Sequence, residues 1–82
     1  MAFELKWKDY GTFRKAVVVR RDRKRFENPR IYDYNHMERI RLGLRKRFEV
    51  TNPIRLNFER HDFDTLIEAV AYLMEQGLWP LS

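Results

Sequence analysis

Apolar and polar positions change rhythm repeatedly along this chain. Phe3, Leu5 and Trp7 alternate with Glu4, Lys6 and Lys8, the period of two that a half-buried strand imposes. Asp9-Tyr10-Gly11 reads as a turn, with Gly11 able to take positive φ. Thr12 to Arg21 predicts a second strand centred on Ala16-Val17-Val18-Val19, whose valines suit burial on both faces. Arg30 to Tyr34 predicts a short third strand. The period then becomes helical. Met37, Ile40, Leu44 and Phe48 share one stripe, Asn35 offers a cap with Glu38 three residues on, and Thr51-Asn52-Pro53 breaks the helix. Alternation returns in Ile54, Leu56 and Phe58. A second helix opens at an Asp62 cap, carries Leu66, Ile67, Val70, Leu73 and Met74 on one face, and stops at Gly77 before Pro80.

The expected fold is therefore a single small α+β domain over residues 1–82, in the order strand, strand, strand, helix, strand, helix. The sheet is expected to be mixed but mostly antiparallel, with both helices on one face. The helical connection between the third and fourth strands is long enough for a right-handed crossover, which would set those two parallel. The apolar tail Leu78-Trp79-Pro80-Leu81 is expected to fold back over the core, because proline disfavours a central strand.

Composition narrows the chemistry. With no cysteine, there is no disulfide, no thiolate nucleophile and no soft metal ligand. Gly11, Gly43 and Gly77 are scattered, so no glycine-rich phosphate loop exists. His36 and His61 lack the paired spacing of a zinc site. Asp33, Asp62 and Asp64 are possible oxygen donors, though the last two stand where a helix start favours acids. Thr51 and Ser82 have no evident base. These absences lead us to expect no enzyme activity, no cofactor and no metal. The start of the chain lacks the apolar run of a signal peptide, and no run approaches the ~18–20 residues that cross a bilayer. A soluble cytoplasmic protein without membrane partners is the expectation.

Charge changes the picture most. Residues 1–60 hold all seventeen Lys and Arg and eight of the twelve acids, leaving +9; residues 61–82 hold four acids and no Lys or Arg, leaving −4. Arg20, Arg21, Arg23, Lys24, Arg25 and Arg30 crowd into eleven positions with Phe26 among them. Such an arm suits phosphates, with Phe26 available to stack on a base; its plain alternative is a solvated hairpin loop. Arg39, Arg41, Arg45, Lys46 and Arg47 follow on the predicted first helix, with Arg39 and Lys46 pointing away from its apolar stripe. Tyr10, Phe13, Tyr32 and Tyr34 interleave with charge. If Ile31 faces the helices, Tyr32 and Tyr34 face the other side of the sheet, where they could stack bases or simply fill a pleat.

Two function classes follow. One is a small non-catalytic nucleic-acid-binding protein that grips DNA or RNA phosphates through the basic arm and helix. The other is a protein-interaction module, an adaptor or inhibitor of the viral or mobile-element kind, docking an acidic protein surface. Arginine pairs with phosphate and carboxylate alike, so both stay open here. A homodimer formed through a sheet edge or the Trp79 tail is compatible with either.

Overall fold

The computed structural model describes residues 5–19, 28–52 and 59–77. Five strands form one sheet: β1 (Trp7–Asp9), β2 (Phe13–Val17), β3 (Arg30–Tyr34), β4 (Phe48–Asn52) and β5 (Glu59–Phe63). Helix α1 (His36–Leu42) lies between β3 and β4, and α2 (Leu66–Glu75) follows β5. The strands lie side by side in chain order, and each neighbouring pair is antiparallel. The small α+β fold is as the hydrophobic pattern predicts.

The parallel crossover does not occur, and its absence has a local cause. Helix α1 spans seven residues, a rise of about 10 Å, while the five residues of β3 span about 17 Å. So short a helix does not carry the chain back to the start of β3, and β4 returns antiparallel beside it. Gly43 ends the helix early. It adopts φ 70°, and the N–H groups of Gly43 and Leu44 donate to the carbonyls of Ile40 (3.2 Å) and Arg39 (2.9 Å), the paired closure of a Schellman motif. The predicted helix therefore stops six residues before Phe48, which instead opens β4 opposite Asp33 and Phe63. Thr51 and Asn52 belong to that strand rather than to a helix breaker.

The second helix also starts later than Asp62. Asp62 lies within β5, and Thr65 is the cap, its hydroxyl accepting the Glu68 N–H at 3.2 Å. Thr65-x-x-Glu68 is a capping-box spacing, a closer match than Asp62 offers. The predicted strand over Ile54–Glu59 falls outside the described residues, except for Glu59 at the start of β5.

The core sits between the sheet and α2. Val18, Ile31, Phe48, Val50, Ala69 and Leu73 form one buried cluster, with Leu5, Trp7, Phe63, Leu66, Val70 and Tyr72 packed around it. The buried line on α2 is Ala69 and Leu73, one turn apart; Ile67, expected on that line, is 82% exposed. Helix α1 does not join this layer. Its Met37 and Ile40 are 71% and 63% exposed, and its buried side chain is Glu38. The cause is its anchorage at the sheet rim. The Asn35 side chain caps the Glu38 N–H at 2.8 Å, and Asn35 itself donates to the carbonyls of Thr12 and Gly11 in the β1–β2 turn. Among the described residues no helix is long and apolar enough to cross a membrane.

Candidate functional site

Strand alternation sends neighbouring residues to opposite faces. Ile31, opposite Ala16 and Val50, enters the core beneath α2. Arg30, Tyr32 and Tyr34 therefore face the other way, in register with Phe13, Lys15 and Val17 of β2 and with Glu49 and Thr51 of β4. Among the described elements, α2 is the one that packs across the sheet, and no described helix covers this second face, where Tyr32 and Tyr34 are half-buried and Glu49 is buried.

Its rings contact one another. Tyr32 and Tyr34 stack with ring centroids 6.1 Å apart and planes 15° apart. Phe13 meets both, at 5.9 and 6.0 Å, and Tyr10 stacks on Phe13 at 4.9 Å. These spacings lie within the range of favourable aromatic pairs. Lys8 and Lys15 are directly opposed in register, a like-charge pairing that by itself destabilises. Both ammonium groups lie over the Tyr10 ring, at 5.4 and 5.3 Å from its centroid, where the π face offsets part of that repulsion. Tyr10 is 43% exposed, so two cations and a ring are presented together.

The far side of this face is more balanced. The Tyr34 hydroxyl faces Glu49 Oε1 at 3.4 Å. Burial, followed by the charge of Glu49, pushes the Tyr34 hydroxyl up to about 12, so it stays protonated. Burial also raises the Glu49 carboxyl above its ordinary value; Arg60 pulls it back, while Asp62, its register partner, pushes it further up.

A second arrangement occupies the rim where β2 begins and β3 ends. Asp33 is 5% exposed. Burial drives its pKa upward, but hydrogen bonds from Arg47 and Arg14 outweigh that and hold it below the ordinary value. Arg47 donates from Nε to Oδ1 at 2.7 Å and from its Nη2 to Oδ2 at 3.1 Å; Arg14 donates from Nε to Oδ2 at 3.1 Å. The Arg14 guanidinium lies over Trp7 at 4.7 Å, and that of Arg47 over Phe48 at 5.0 Å. One carboxylate and two rings thus fix both forks. Beside them opens a pocket of about 370 Å³ lined also by Asp9, Asn35, His36 and Arg39.

The residues expected to bind distribute unevenly. Arg20, Arg21, Arg23, Lys24, Arg25 and Phe26 lie outside the described residues. Arg30 stands on the open face, and Arg39 lines the rim pocket. Arg45 and Lys46 are exposed in the loop between Gly43 and Phe48 rather than on a helix face. Arg41 is held by Glu38 within α1. His61 packs on Tyr72 at 4.5 Å. Among the described residues, no group of three His, Cys, Asp or Glu is placed to hold a metal. Lys8 and Lys15 did not stand out in the sequence; the signal for them was their spacing around Tyr10 across a two-strand turn. The Arg14–Asp33–Arg47 clasp joins residues far apart in the chain and left no local signal. Comparison with family models, with curated proteins and with solved structures found no match.

Proposed function

We propose that this is a small non-catalytic protein that binds single-stranded nucleic acid on the open face of its sheet. The observation that carries the reading is the contiguous row Tyr10–Phe13–Tyr34–Tyr32 on the face opposite α2, with two lysines gathered at its Tyr10 end. Every base has a π face, so a row of rings stacks unpaired bases with little regard to sequence. Lys8, Lys15, Arg30 and Arg60 supply cations for the backbone on the same face. Against these four cations the face carries Glu49 and Asp62, while the exposed acids of α2, Glu68 and Glu75, lie on the other side of the sheet, so the excess charge on this face favours a polyanion. An acidic protein partner would use the same cations but would leave the rings without a role.

Fluorescence anisotropy with labelled ~12-nucleotide DNA and RNA at two salt concentrations tests the reading. Expected is binding that weakens with salt by about 0.7 log units per log unit for each phosphate contacted. Tyr32→Ala is expected to lower affinity about 5- to 150-fold, the range of one lost stacking contact. No binding of either strand at low salt, or equal affinity of Tyr32→Ala, removes the reading.

A further inference from the structure

The rim pocket has features that the stacking platform does not use. Arg14, Arg39 and Arg47 all line it. Asp33 takes the Nε and one terminal nitrogen of Arg14 and of Arg47. That arrangement locks each fork and leaves its remaining N–H edge without a role in the clasp. Arg39 contributes a different signal: its Nε is buried with no hydrogen-bond partner. Buried donors are almost always paired, and such an exception leaves room for a water or a bound acceptor. The two carboxylates of the lining are already engaged, Asp33 with the arginines and Asp9 with the Gly11 N–H at 2.7 Å. Three guanidinium groups against two carboxylates leave the pocket one positive charge in excess. Phe13 and Tyr34, the two middle rings of the aromatic row, also border it, so the pocket adjoins the row.

We propose that this pocket binds a phosphate monoester. Planar arginine forks match phosphate oxygens in pairs, and two of the three forks are held in place before any ligand arrives. The volume admits a phosphate with the group it is attached to. Resting on the single-strand reading above, the source is the terminal phosphate of a strand whose bases lie on the Tyr10–Tyr32 row; the same chemistry would also accept a free phosphate monoester.

The test compares one oligonucleotide carrying a 5′ phosphate, a 3′ phosphate or hydroxyls at both ends, and in parallel the ³¹P line width of inorganic phosphate with added protein. One phosphorylated end is expected to bind about tenfold tighter than the hydroxyl form, as a charge-assisted contact implies. Arg39→Gln, which stands outside the Asp33 clasp, is expected to erase that ratio, and Arg47→Lys, which keeps charge but loses the fork, to reduce it. Tyr32→Ala is expected to weaken all three strands and preserve the ratio. Equal affinities for all ends, with no broadening of the phosphate line, overturn the pocket and leave the stacking platform standing. Equal affinities with broadening that Arg39→Gln abolishes assign the pocket to a free phosphate monoester. Broadening without binding of any oligonucleotide keeps the anion site and removes the single-strand reading.

Discussion

Ile31 and Tyr32 are adjacent in the chain and live on opposite faces of β3. The face of Ile31 also carries Ala16 and Val50 and lies beneath Ala69 and Leu73 of α2, each with no exposed area. The face of Tyr32 carries rings, lysines and Glu49, with no described helix packed across it. One set of strands thus serves two purposes, separated by the pleat alone. Stability comes from the face that α2 dehydrates, while the other face keeps rings and charges that no described helix covers. Substitutions that differ by one position should therefore separate folding from binding.

The sharpest break is Leu73→Ala. Removing a fully buried leucine costs about 2–5 kcal/mol, against a total of about 5–15 kcal/mol for ordinary domains. A fall of the urea midpoint by roughly a third is expected, and a loss below ~1 kcal/mol would mean that α2 does not cover the core. Next is Asp33→Ala, which strands two arginines. Hydrogen bonds to charged groups contribute about 1.5–3 kcal/mol; Arg14 and Arg47 are about half exposed, so solvent screening places the loss near the lower bound. Its pH signature has a definite sign. The folded pKa of Asp33 lies below the ordinary 3.8, so its stabilisation is complete above about pH 4 and is lost as pH falls through the folded value. Asp33→Asn should flatten the acid limb of a stability–pH curve; an unchanged limb would locate acid sensitivity elsewhere.

On the open face the effects on folding should be small. Glu49 has the opposite sign to Asp33: its folded pKa is raised above 4.5, so its ionised form is the less favourable one once folded, and its contribution falls as pH rises through that range. Glu49→Gln should raise the urea midpoint at pH 7 slightly, within about 1 kcal/mol. A clear loss instead would make the Tyr34–Glu49 contact a structural bond. Smallest of all, Met37→Ala and Ile40→Ala should change stability by less than about 0.5 kcal/mol, since both are exposed. A larger loss would show that α1 is covered in solution.

What could be read in advance follows how local each signal is. Asn35 with Glu38, and the bounds of Arg30–Tyr34, depend on neighbours within a few residues. Gly43 falls inside the predicted Met37–Phe48 stripe yet ends the helix, for a reason internal to helix physics. In a helix interior it costs about 1 kcal/mol relative to Ala, but at a terminus the same freedom of φ makes it the natural stop. Met37 and Ile40 then counted toward a buried stripe although the helix ends two residues after Ile40, too short to reach the sheet. Of the candidate site, Tyr10, Phe13, Tyr32 and Tyr34 were visible as aromatics among charges. Their contact with one another was not, because it needs the β2–β3 register that pairs Phe13 with Tyr34.

The chain alone determined its class, its strand and helix rhythms, the absence of thiol chemistry and the imbalance between a basic first part and an acidic last one. Each is a property of composition or of spacing within a turn or a pleat. Tertiary structure alone decided that all neighbouring strands pair antiparallel, that α2 rather than α1 covers the sheet, and that Asp33 is clasped by Arg14 and Arg47. Those outcomes depend on which distant segments meet. Backbone hydrogen bonds between strands are nearly the same in every register, and the choice among registers is made largely by the one face that α2 can dehydrate.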